Sequence, residues 1–168
     1  TLISEIKDGR FYFSGTVPQM PILAIFRLSD HSTFAKVYID SSQTNIDFTN
    51  ELKVQGINSS QLFQLASISG SATGSQLLNF EKKKGELIHS DLSDEIKMQV
   101  FNEHLSSFIR QHPKSKVSAF LLGQAYDLSY KQAKENSELI DASLHESTEW
   151  SGVERLLDEL YKPQFINT

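Results

Sequence analysis

Apolar and polar residues alternate along the first 70 positions, and from there on the apolar ones recur every three or four residues. This change of period predicts strands first and helices afterwards. Ile3, Glu5 and Lys7 alternate with Leu2, Ser4 and Ile6, and Asp8-Gly9 supplies a hairpin signal ahead of Phe11, Tyr12 and Phe13. Gly15, Pro18 and Pro21 interrupt the pattern. The β-branched and aromatic run Ile22 to Leu28 predicts a well-buried strand, followed by a polar turn at Ser29 to Ser32. Phe34 to Ile39 predicts another. Asp40 and Ser41 then turn the chain into Thr44 to Phe48, with a further turn from Asn50. Glu51 to Val54 and Leu62 to Ser69 read as short strands or extended edges, separated by Gln55, Gly56 and an Asn58-Ser59-Ser60 loop. Spacings this short favour an antiparallel meander or small sandwich, because parallel crossovers need a dozen or more residues.

The run Gly70-Ser-Ala-Thr-Gly-Ser75 marks the change of regime. Leu77, Leu78, Phe80, Leu87 and Ile88 open the helical half, with Gly85 expected to break or kink it. Leu92, Ile96, Val100, Phe101, Leu105, Phe108 and Ile109 form a long stripe, and Ser93 with Asp94 and Glu95 places acidic charge at its first turn. In FIRQHPKSKVSAFLL, Phe108 to Leu122, Pro113 disfavours a helical His112 and stops that helix. Ser115 then caps a helix expected to reach about Leu128, with Val117, Ala119, Phe120, Leu121 and Leu122 buried nearly all round. Two more helices are predicted over Lys131 to Ser143 and Gly152 to Tyr161, the last ended by Pro163. The expected fold is α+β: a mainly antiparallel sheet or small sandwich over 1–70, then a helical bundle over 71–168, sharing one structural unit.

Composition narrows the chemistry. A formal charge of -5 argues against nucleic acid, and the one tight basic run, Lys82 to Lys84, lies between Glu81 and Glu86 and reads as a solvated helix face. There is no cysteine, which removes disulfides, thiol nucleophiles and CxxC redox chemistry from this chain. No window approaches the roughly 18 to 20 apolar residues of a membrane span. The chain opens at Thr1 without an initiator Met, and the expectation is a fragment or processed form. His31, His89, His104, His112 and His145 have no ligand spacing, so neither a metal nor a cofactor is expected. Gly70 to Ser75 superficially resembles a phosphate-cradling loop but lacks the GK[ST] ending, and a connector capped by Ser71, Thr73 or Ser75 is the plainer reading. Asp40 and Asp47 flank a strand and are the one carboxylate pair worth inspecting, although turn formation is the commoner role. No GxSxG elbow supports a hydrolase. Trp150 reads as a packing anchor rather than a ligand platform.

DGRFYFSGTV at Asp8 to Val17, AKVYID at Ala35 to Asp40, SISGSATGSQLLNFE at Ser67 to Glu81 and FIRQHPKSKVSAFLL together resemble a known arrangement. It is similar to the domain of unknown function that precedes the thioredoxin-like domain, of TlpA or AhpC/TSA type, in thiol-disulfide oxidoreductases of Bacteroidetes. The resemblance rests on scaffold motifs. It implies a periplasmic or extracytoplasmic parent, lipid-anchored through a leader, with catalysis in a downstream CxxC, so no catalytic residue carries over to this chain. The implied partners are that downstream domain, protein substrates of the parent, and a second copy in a homo-oligomer. The functional expectation is a non-catalytic accessory domain that positions substrates or mediates self-association. The alternative is an independent extracytoplasmic module that binds a peptide or glycan.

Overall fold

A computed structural model describes residues 2–17, 19–27, 34–40, 43–55 and 58–161, with the backbone alone between 50 and 62. Four strands precede five α-helices, and among the described residues no strand follows the first helix. The fold is α+β. Strand β1 (Ile22–Arg27) pairs antiparallel with β2 (Phe34–Ile39), Ile22 opposite Ile39. Strand β3 (Asn45–Gln55) pairs antiparallel with β4 (Asn58–Ser69) in a second two-stranded sheet. The turn predicted at Ser29 to Ser32 and the stop at Pro163 lie outside the described residues.

Three strand expectations need correction. The turns expected at Asn50 and Asn58 to Ser60 are absent, because β3 and β4 run on through them until Gln55 faces Asn58. The backbone ladder forms across these positions whatever the polarity of their side chains. The register shifts beside Phe48, which faces Leu65 while Asp47 faces Ser67, leaving Ala66 as a bulge. Strand β1 is only half-buried, with Ile25 on the surface, since it is the outer member of its pair. The buried strand is β2, where Val37 and Tyr38 are fully enclosed. At the start of the chain, Asp8 and Gly9 both take positive φ, 51° and 71°, and make the expected turn, but only Lys7 and Arg10 bridge across it. Leu2, Ile3 and Ile6 stay exposed. Their apolar positions fall on both phases of the alternation, so no single face drives a ladder.

Helix α1 (Ala72–Ile88) runs unbroken through Gly85. Helix α2 (Asp94–Gln111) is capped by Ser93, and α3 (Lys116–Gly123) by Ser115. The joint between them is laced together: the Ser118 hydroxyl donates to the His112 carbonyl at 2.7 Å, and the Asp141 amide donates to the Pro113 carbonyl at 2.9 Å. Helix α3 stops at Gly123, short of Leu128, as the chain turns through Asp127 with φ 62°. Phe120 on it is half-buried, not fully enclosed, and its ring stands edge-on to Tyr38 at 5.9 Å. The single helix expected over Lys131 to Ser143 is two elements. Helix α4 (Tyr130–Glu138) starts with a capping box between Ser129 and Gln132, and a 3-10 turn over Ala142–Leu144 is capped by the Asp141 carboxylate. Helix α5 (Thr148–Tyr161) begins four residues before Gly152 and takes Trp150 into its first turn. The core joins Tyr38 of β2 to Phe80, Leu105, Ile109, Leu122 and Val153 from α1, α2, α3 and α5.

Candidate functional site

The sequence places Gly70 to Ser75 where a strand meets a helix, and that junction is closed to anions. Ser71 caps α1: its hydroxyl accepts from the Gly74 amide at 2.9 Å and donates to the Tyr38 carbonyl at 2.8 Å. The Asp40 carboxylate accepts from the Thr73 amide at 2.7 Å. Burial pushes the Asp40 carboxyl up, but hydrogen bonds from Thr73, Ser71 and Ala72 outweigh it and hold the group below the usual carboxylate range. A carboxylate therefore already occupies the place an incoming phosphate would need. Gly70 has φ 81° and lies against the Gln43 carbonyl, while Gly74 lies against the Tyr38 carbonyl and the Ile68 side chain, so both glycines serve close packing.

The remaining candidates are dispersed. Asp47 accepts from the Ser67 hydroxyl across the β3–β4 ribbon, so Asp40 and Asp47 act in separate structural contacts. His89 caps the end of α1, His145 stacks on Trp150 at 3.9 Å, and His31 lies outside the described residues. Trp150 is half-buried against the core, in keeping with an anchor. His104 and His112 border a cleft of about 290 Å³ between α1 and α2 that also holds Ser75 and Ser107. Burial, and then the charge of Lys83, push the His104 imidazole down from its ordinary value, and its ring stacks on Phe80 at 4.6 Å. Ser75 donates to the Ser71 carbonyl and Ser107 accepts from the Gln111 amide; neither hydroxyl hydrogen-bonds to a histidine among the described residues. No group of three His, Asp or Glu side chains converges as a metal site among them either.

One polar constellation has no local signature in the sequence. The Tyr38 hydroxyl donates to Glu149 Oε1 at 3.1 Å, 111 residues away, and Lys116 Nζ lies 4.0 Å from Glu149 Oε2 while donating to the Pro21 carbonyl at 3.2 Å. Burial, then the charge and hydrogen bond of Glu149, push the Tyr38 hydroxyl far up, so it remains a protonated donor. The arrangement ties β2 to α3 and α5 and is enclosed by packing.

A larger recess, a groove of about 820 Å³, lies over α1 between β2 and β4. Phe34 and Lys36 line it from β2, Phe63 and Leu65 from β4, with Phe80 below and Phe120 at one side. Lys36 Nζ lies 5.2 Å from the Phe120 ring centroid and 5.9 Å from that of Phe34. Such a surface can bind an apolar ligand bearing negative charge. None of these residues signals a groove in the sequence, because its walls come from segments nearly ninety positions apart, between Phe34 and Phe120.

No curated protein and no solved structure matches the chain. No described helix is long and apolar enough to cross a membrane. Residues 4–77, from the N-terminal turn through both sheets into the second turn of α1, match the family model of a domain of unknown function, DUF4369.

Proposed function

We propose that this chain is a non-catalytic accessory domain of a periplasmic or extracytoplasmic thiol-disulfide oxidoreductase, standing ahead of a thioredoxin-like domain and positioning its substrates. Support comes from the match over residues 4–77, which contains two of the four motifs that carry the resemblance and most of a third. The observation that carries the positioning role is the groove between β2 and β4, a ligand-sized recess with aromatic walls. The attacking thiolate must come from another domain, since this chain has no cysteine to supply one. The test compares reduction of insulin and of scrambled disulfide substrates by the full-length parent and by its redox domain alone. Deletion should lower or broaden substrate preference while the redox domain stays folded. Equal rates across substrates, with unchanged oligomeric mass, would remove the reading.

An independent peptide- or glycan-binding module is the second reading, favoured by the aromatic side chains Phe34, Phe63 and Phe120 that line the groove. The coding sequence beyond residue 168 separates the two: a strand and CxxC supports the first, a stop codon the second.

A further inference from the structure

The groove lies where β2 and β4 pack against each other on α1 without joining in one ladder. Strand β2 pairs with β1 on one side, and β4 pairs with β3 on one side; among the described residues no hydrogen bond joins β2 to β4. Successive residues of a strand turn their N–H and C=O groups to opposite sides. The Tyr38 carbonyl points away from β1, toward the start of α1, where Ser71 binds it. Lys36 and Phe34, two and four positions earlier, turn theirs to the same side, and those groups have no partner among the described residues. Both residues line the groove.

Apolar surface and charge define the rest of the recess. Phe34 is 51% exposed and Ile88 55% exposed, and both line the recess. Lys36, Lys82 and Lys84 border it against the single carboxylate of Glu81, which pairs with Lys84 at 3.5 Å. Lys36 and Lys82 therefore face the groove with no carboxylate partner among the described residues, in a chain whose formal charge is -5. Open backbone donors and acceptors recognise another backbone, an aromatic wall takes alternate apolar side chains, and a basic rim takes negative ones.

We propose that the groove binds an extended polypeptide segment, alternating apolar and acidic residues, which adds a strand along the open edge of β2. The inference deepens the accessory-domain reading by naming what the groove holds. It rests on that reading only for the identity of the protein that supplies the strand. The binding itself is a property of this chain and is measured without any redox partner, so either idea can fail alone.

The direct probe is a fluorescein-labelled peptide of about eight residues, a common strand length, alternating valine and glutamate. Its anisotropy is followed on titration with the full chain. Saturable binding is expected with a dissociation constant on the order of 10 to 100 µM. Two control peptides carry the argument: one with lysine replacing glutamate, and one with alternate amides N-methylated. Each should bind at least about ten-fold more weakly, a loss equivalent to one hydrogen bond or ion pair. Lys36→Glu and Lys82→Glu should favour the lysine peptide, and thermal melts check that both variants fold. Absence of saturable binding overturns the proposal. Equal binding of the N-methylated peptide, or full displacement by a medium-chain fatty acid with no dependence on backbone amides, shows an amphipathic acid as the occupant instead and also overturns it. So does a concentration-dependent dimer in sedimentation velocity that the peptide fails to dissociate, since a second copy then fills the groove.

Discussion

Gly74 and Gly85 share α1 and differ in what surrounds them. A methyl group on Gly74 would collide with the Tyr38 carbonyl and the Ile68 side chain, and would lie 2.9 Å from the Ser71 hydroxyl oxygen. One on Gly85 would meet nothing within 4 Å. Gly74→Ala should therefore destabilise the protein by roughly 1 to 3 kcal/mol through overpacking, whereas Gly85→Ala should stabilise it by about 0.5 to 1 kcal/mol through helix propensity. Urea melts of the two variants check the opposite signs. Asp40 offers a pH test. Its folded pKa is lowered, so its contribution is present above the unfolded value of about 3.9 and is lost as pH falls through the folded one. Asp40→Asn should cost about 1 kcal/mol at pH 7, kept small by its partial exposure, and the gap from the parent should close toward pH 3. His104 is also held low, so both proteins lose stability as pH falls below about 6.5, and that loss cancels in the difference. At this scale the sequence shows Ser71 as a candidate cap because Ser is a common one. It shows Asp40 only as a turn residue, because its partner lies 33 positions away.

Caps decided which elements were legible. Ser93 and Ser115 each hold an amide of their helix's first turn, and the helix start that Ser115 predicts is the observed one. Helix α4 is shorter than its sequence pattern predicts. Ser137 spends its hydroxyl on the Lys134 carbonyl, and the next amides close i to i+3 bonds before Asp141 starts a new turn. The packing of α3 on α5 depends on distant glycines. A methyl on Gly123 would lie 2.8 Å from the Gly152 carbonyl carbon and 3.0 Å from both its Cα and the Val153 amide nitrogen. One on Gly152 would lie no closer than 3.5 Å to Gly123. Gly123→Ala should cost roughly 1 to 3 kcal/mol by forcing the helices apart, while Gly152→Ala should fall between neutral and about 1 kcal/mol stabilising. Equal shifts in thermal midpoint would contradict this geometry.

Over the whole molecule, two apolar clusters divide the labour. The main core joins β2 to the helices. A second cluster stacks Phe48 on Phe63 at 4.5 Å and brings Phe11 and Phe26 to within 6.0 Å of Phe48, linking the N-terminal segment to both sheets. Hydrophobic period alone reports the α+β division, because each period is local. It does not report that β2 and β4 pack side by side on α1 without joining in one ladder, because that arrangement depends on how the two pairs settle on the helices. The edge of β2 that faces away from β1 is where a bound strand would pair. The most direct measurement is amide hydrogen exchange of the full chain, followed by NMR with and without the valine–glutamate peptide. The account predicts new protection at the amides of Phe34 and Lys36, with shift changes extending to Phe63 through Leu65. Unchanged exchange at those two amides at saturating peptide, or changes centred on the α1–α2 cleft around His104 and His112, would contradict it.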